Sequence, residues 1–362
     1  MMGLTLFQYF LRRYLMMTAQ IFIGLTLLAY IIDLTEVTRQ MGNLKDFTLA
    51  QGMYMSVLRI PRIVQTATPF IILIAAMTAL MTFNRRYELV IARSAGISAW
   101  QFLTPLCLAS FIVGVFALVA FNPLAAWTFA KAEQLEAELR GRTVAEDTTL
   151  KIPWLRQQTE EGKAIVGAVN TANRGRTLYN ATIIRFDENG RIRDRLDADL
   201  ATLESGYWLL EDVTIIRRGE ERESVEQMRV KSGLKPELIE EQLTLPETIP
   251  FFELGRKIDA ARSFGLNANG FVVQFHSLMA MPVLLVAMTL IAATVSLKFA
   301  RFGQSATMIL GGILAGFLLY VVSVLAKAFG SAGLVPPMIA AWVPVIVAMF
   351  YGVTFLLYKE DG

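Results

Sequence analysis

Six long runs without a charged side chain, three on each side of one charged block, dictate what this chain can fold into. The runs are Leu15–Ile32, Ile63–Phe83, Ile97–Ala130, Phe264–Leu297, Phe302–Ala326 and Ala328–Tyr358. A bilayer's hydrocarbon core, about 30 Å thick, is crossed by about 20 apolar residues in an α-helix. Each run therefore predicts one membrane-spanning helix, and the longer runs predict interfacial ends as well. The first run is too long for a cleavable signal peptide and no A-x-A-like site follows it, so it is expected to remain as a helix.

The chain carries 34 Lys and Arg against 31 Asp and Glu, and most of them fall between Lys131 and Arg262. The expected fold class is an α-helical membrane protein of six transmembrane helices with an inserted all-β domain. Helices 1–3 occupy residues 1–130, the insert 131–262, and helices 4–6 residues 263–362. A composition of 54% hydrophobic and 18% charged residues fits this, since soluble domains carry roughly 25% charged residues. The net charge of +3 gives no reason to expect a nucleic-acid partner. One histidine, His276, and one cysteine, Cys107, exclude a histidine-based triad, a zinc cluster and an internal disulfide. Gly162-Lys163 stands alone, without the G-x-x-x-x-G-K-[ST] phosphate loop. Catalysis, a metal and a bound cofactor are therefore not expected of this chain, and His276 reads as a polar group satisfied between helices.

Basic residues near helix ends set orientation. With the N-terminus inside, the cytoplasmic side receives Arg12, Arg13, Arg85, Arg86, Arg93, Lys298, Arg301 and Lys359. The other side receives Arg39, Lys45, Arg59, Arg62 and Lys327 from its short loops. The larger set predicts both termini inside and the charged insert outside.

Within the insert the period changes. TLYNATIIRF (Thr177–Phe186) is rich in β-branched and aromatic residues, Asp187-Glu188-Asn189-Gly190 signals a turn, and RIRDRLDADL alternates. Ser205-Gly206 and Arg218-Gly219-Glu220 break the chain around YWLLEDVTIIRR. Short strands at this spacing predict a small antiparallel sandwich or roll, either a plain solvated cap or a surface for a partner or amphipathic ligand. KAEQLEAELRGR (Lys131–Arg142) reads as the charged continuation of the third span. PFFELGRKIDAARSFG places Phe251, Leu254, Ile258 and Ala261 at helical spacing, suiting an interfacial helix.

Between the second and third runs stands NRRYELVIARSAGISAW (Asn84–Trp100). Asn84 suits a helix cap, Gly96 a left-handed end, and Ser98 with Gln101 a capping box for the next helix. About 11 residues lie between, three helical turns, with Leu89, Ala92 and Gly96 on one face. So short a helix is marginal alone. It is expected to rest on the headgroups or to dock into a partner outside the membrane.

ELVIARSAGIS (Glu88–Ser98) resembles the cytoplasmic E-L-x-x-x-x-x-x-G-x-S signature of the lipopolysaccharide-export permeases of the LptF/LptG family. GLVPPMIAAWVP (Gly333–Pro344) resembles the G-x-x-P-P-x-x-A-A-W-x-P stretch of that family's LptG branch, and QYFLRRYL (Gln8–Leu15) is similar to its opening. The likeness spans essentially the whole chain. It implies a multi-pass protein of the bacterial inner membrane with a periplasmic β-jellyroll, forming half of the membrane part of an ATP-binding-cassette transporter. Its implied partners are the paralogous permease LptF, a cytoplasmic LptB dimer holding ATP and Mg, the single-span LptC, the periplasmic bridge protein LptA, and lipopolysaccharide itself. By this likeness a coupling helix at about 85–96 docks on the ATPase. Glu88 contacts an ATPase arginine there, Leu89 and Arg93 seat the helix, and Gly96 ends it.

Lipopolysaccharide is acylated and anionic, so its cavity needs apolar faces with cations just above them. Arg39, Lys45, Arg59 and Arg62, with Lys131 and Arg140 where the third span ends, are the candidates. The alternative role of the loop cations is membrane anchoring and pairing with Asp33, Glu36 and Asp46. Gly312 and Gly316 form a G-x-x-x-G pair, serving either a seam with the partner permease or packing within this subunit. Inside the β insert, Ile184, Phe186, Leu209 and Ile215 are taken as the inward set. The rival readings are the LptF paralogue, a permease for another lipid, and a receptor or scaffold with an extracellular β sensor.

Overall fold

The computed structural model describes residues 3–42, 47–139, 155–159, 162–168, 170–172, 177–187, 191–204, 206–217, 221–232, 245–263, 267–296 and 306–360. Six helices among them are long and apolar enough to cross a membrane, and the chain is a multi-pass membrane protein. Helix α1 runs Leu4–Met41 and α2 Leu49–Arg85. At 38 and 37 residues both overrun a hydrocarbon core by several turns at each end. The short α3 is Glu88–Ser94, followed by α4, Ala99–Phe116.

The third span continues from α4 through a π-helical turn, Ala117–Phe121, into α5, Asn122–Leu139. Such widened turns break the regular ladder and re-aim the helix beyond them. Lys131–Leu139 is thus helical, in keeping with its reading as a continuation of that span. After the insert come α6 (Phe251–Ser263), α7 (Asn269–Ser296), α8 (Ala306–Ser331) and α9 (Pro337–Glu360). Ala328 belongs to the fifth span rather than opening the sixth. The hairpin between them turns at Gly333 (φ +80°), and Pro337 starts α9, where a missing N–H costs nothing.

The membrane core joins these helices around Ile72, Leu73, Ala76, Leu80, Leu103, Leu106, Leu285 and Met288, all buried. Tyr14 of α1, Ser110 of α4 and Thr289 of α7 form a buried hydroxyl chain through it, at 2.8 and 2.6 Å. In lipid, where no water competes, such contacts hold helices in register. The apolar stripe of α6 is not turned to the membrane surface. Leu254, Ile258 and Ala261 pack on Phe271, Val272 and Leu278 of α7, so burial within the chain replaces the interfacial face expected from its pattern. His276 meets Phe275 edge-on, ring centroids 5.5 Å apart.

The insert forms one antiparallel sheet of β1 (Leu155–Thr159), β2 (Gly162–Gly167), β3 (Asn170–Ala172), β4 (Thr177–Phe186), β5 (Ile192–Glu204), β6 (Tyr207–Arg217) and β7 (Glu223–Lys231). The order is β1-β2-β4-β5-β6-β7, with β3 also on β4. The four turn residues expected after Phe186 are framed by Asp187, whose N–H donates to Arg191 O at 2.9 Å; positions 188–190 lie outside the described residues, as do 218–220.

The sheet wraps its own core of Val166, Leu178, Ile183, Leu196, Trp208, Leu210, Val213 and Ile215. The inward set is therefore corrected: Ile215 faces in, but Ile184 and Leu209 stand on the other parity, while Phe186 is half-buried beyond a register shift that pairs it with Ile192. Asn180 on β4 and Asp212 on β6 have φ near +50°, and the buried face changes there, as it does on β5 between Ala198 and Ala201. On β6, burial at 208 and 210 resumes at 213 and 215. The strand pairing keeps one register past both positions, so no residue is inserted and the buried face changes without a bulge.

Candidate functional site

Two places gather charge at the ends of the helix bundle. The first is α3, at the end opposite the β insert. It is shorter than expected, 7 residues and about two turns. Asn84 is not its cap, because α2 runs on through Arg85 and the N-cap is Tyr87, in left-handed geometry (φ +57°). Gly96 does turn left-handed after it (φ +79°), and the Ser98 hydroxyl accepts from Gln101 N–H to start α4. Leu89 and Ala92 are buried, holding α3 against the membrane core, whereas Gly96 is exposed rather than continuing that face. The outward face is Tyr87, Val90 and Ile91, at 69%, 44% and 65% exposure.

Glu88 is engaged inside the chain. Its Oε1 lies 2.6 Å from Arg13 Nη1 of α1 and accepts from the Tyr9 hydroxyl at 3.0 Å, while Arg13 also donates to Tyr9. Oε2 has no hydrogen-bond partner among the described residues. Arg93 lies with its guanidinium carbon 6.0 Å from the Phe102 ring centroid on α4. Arg13 entered the sequence reading only as a charge that sets orientation and, with Tyr9, as part of QYFLRRYL, and neither was expected at this site. The available signal is their i, i+4 spacing beside the buried stripe of Phe10 and Tyr14.

The second place is the insert-facing end. Arg59 lies 3.7 Å from the buried Asp33, whose second oxygen has no partner among the described residues. Arg39 is exposed and forked onto Glu36 at 2.9 and 2.6 Å. Arg62 faces Glu247, 3.7 Å away in the segment returning from the sheet, and Lys327 of α8 lies within electrostatic reach of both. Two cations thus converge on one carboxylate at the sheet end of α2 and α8. Lys131 sits over Trp127, 4.0 Å from the ring centroid. Lys45, Asp46 and Arg140 lie outside the described residues. The three loop arginines are thereby brought onto acids of their own chain.

Gly312 and Gly316 face α2. A Cβ on Gly312 would sit 2.9 Å from Met77 Cε, and one on Gly316 would overlap Leu73 Cδ2. The G-x-x-x-G face is filled within the subunit. Among the described residues, no three His, Cys, Asp or Glu side chains group in a way that would hold a metal ion.

Residues 8–359 match the family described as lipopolysaccharide export system permease LptF/LptG. The chain is also similar to a lipopolysaccharide export system permease protein LptG of Haemophilus influenzae, 24% identical over 309 residues that cover 82% of each chain.

Proposed function

The chain belongs to the lipopolysaccharide export permease family LptF/LptG, and on that premise we propose that it is the LptG-like subunit of an ATP-driven exporter. The partner ATPase is an LptB dimer carrying ATP and Mg, and the other permease is LptF. LptC and the LptA bridge receive the cargo. In this reading the termini and α3 are cytoplasmic, the sheet is periplasmic, and the protein sits in the bacterial inner membrane.

The observation that carries the reading is α3. It is a short helix at the end of the bundle away from the sheet, seated by Leu89 and Ala92 and presenting Tyr87, Val90 and Ile91 outward. Apolar side chains left exposed on so short a helix support its reading as a docking surface. ATP binding closes the motor, α3 moves with it, and the six-helix bundle narrows around the lipid. The acyl chains then pass toward the inward face of the sheet, lined by Ile183, Leu196, Trp208 and Leu210. Arg62 and Lys327 meet the phosphates as these rise past the sheet end of the bundle, with Arg39, Arg59 and Lys131 near that level.

Purification of the tagged chain in mild detergent tests the assembly: an ATPase, a second six-span permease and a one-span β protein should come with it. Ile91→Cys in a Cys107→Ser background tests the sidedness. An impermeant maleimide should reach it only after spheroplasts are opened, and labelling of intact spheroplasts would overturn the topology.

A further inference from the structure

The residue with the strongest claim to grip an external partner, Glu88, is half spent inside the chain. Its Oε1 takes both Arg13 and Tyr9 of α1, and Oε2 is left without a partner among the described residues. Arg13 is only 13% exposed on its side chain, and its guanidinium lies between the rings of Tyr9 and Phe83, 5.5 and 5.6 Å from their centroids. The guanidinium is therefore held in place by the two rings as well as by its single contact to Glu88, which makes the link stiff.

Three attachments fix α3. Leu89 and Ala92 seat it beside the end of α2, Arg93 reaches Phe102 of α4, and Glu88 reaches Arg13 of α1. The first two join α3 to helices it already adjoins in sequence. The third is a polar contact that joins it to α1, seventy-five positions away.

We propose that Arg13 is a positioning residue for energy transfer: by holding Glu88 it ties the docking helix α3 to the first membrane helix. A displacement of α3 is then delivered to α1 directly, not only along α2. This rests on the reading of α3 as the seat of the ATPase. The helix α1 has the most lipid-exposed apolar window of the six spans, with 6% of that window buried. Beyond its buried N-terminal part at Phe10 and Tyr14, α1 therefore has a long stretch that can follow a pull applied at that end.

The test uses the assembled complex in nanodiscs containing lipopolysaccharide, with the parent chain, Arg13→Gln, Arg13→Lys and Glu88→Gln. ATPase recovery, ATP hydrolysis and lipid released per ATP are read separately. A coupling free energy of ordinary size corresponds to about 5- to 150-fold. Arg13→Gln should retain the ATPase and hydrolyse ATP within about twofold of the parent, yet lose about fivefold or more in lipid released per ATP. Arg13→Lys, which keeps the charge, should recover a large part of that loss. Parent-like release per ATP from Arg13→Gln overturns the proposal. So does loss of the ATPase from Arg13→Gln, because Arg13 would then only scaffold the docking surface. The seat itself is judged on Glu88→Gln: undiminished ATPase recovery and hydrolysis there would remove α3 as the docking helix, whatever Arg13 does.

Discussion

Asn122, the first residue of α5, accepts a hydrogen bond from the main-chain N–H of Phe251 at 2.8 Å, across 129 positions of sequence. Phe251 begins α6, where the first four N–H groups have no partner within the helix. A side chain from the third span thus caps the helix that brings the chain back from the sheet. Phe251 stacks on Phe275 of α7, ring centroids 5.1 Å apart, and Glu247, just upstream, faces Arg62. The return segment is clasped onto α2, α5 and α7 together.

Removing that cap by Asn122→Ala should cost about 1–2 kcal/mol, the ordinary worth of a helix cap. Hydrogen exchange in detergent should speed up at Phe251 and the residues after it. Unchanged protection there would show that the helix does not depend on Asn122.

Glycine contacts should differ by what lies opposite. A Cβ on Gly114 of α4 would stand 2.5 Å from the Cα of Pro282 on α7, against main chain that cannot turn aside. At Gly316 the obstacle is the flexible tip of Leu73. Gly316→Ala should cost about 1–3 kcal/mol, be relieved by adding Leu73→Ala, and cost less than Gly114→Ala. Thermal melts of the detergent-solubilised protein decide the order.

Inside the sheet, Asp194 is 1% exposed and forked by Arg185 of the neighbouring strand at 2.7 and 2.6 Å. Arg185→Leu removes the fork and leaves that carboxylate only the longer contact to Arg193, 3.8 Å away, and should destabilise the sheet by up to about 3 kcal/mol. Replacing both residues by leucine should restore most of the loss, since the cost lies in a buried charge deprived of its hydrogen-bonded fork. Resistance to proteolysis within the sheet is the readout, and a double variant no better than the single would refute this account.

Tyr207 donates to Glu204, and that bond, with the adjacent negative charge, raises the phenol above its ordinary 10.0. The raised value favours the protonated form in the fold. Its contribution is therefore complete below pH 10 and fades as pH climbs through the higher folded value. Difference titration at 295 nm against Tyr207→Phe should show the late phenol, and Glu204→Gln should bring it back toward normal.

Uncharged length alone announced the six spans, because lipid tolerates a long backbone only as a helix that satisfies its own hydrogen bonds. Thr177–Phe186 was likewise legible as a strand and is β4 to the residue. Tertiary structure decided which side chains face which neighbour. The inward parity of β6 changes midway, at the left-handed Asp212, and that of β5 changes beside it; a period-two pattern carries no mark of such a change. The face bearing Gly312 and Gly316 signalled close packing, but only the fold supplied Met77 and Leu73 as its partners. Glu88 announced itself by its place in a motif, whereas its pairing with Arg13 depends on how α1 docks beside α3. Hydropathy is additive along the chain and can be read from it; contacts between distant segments arise from packing in three dimensions.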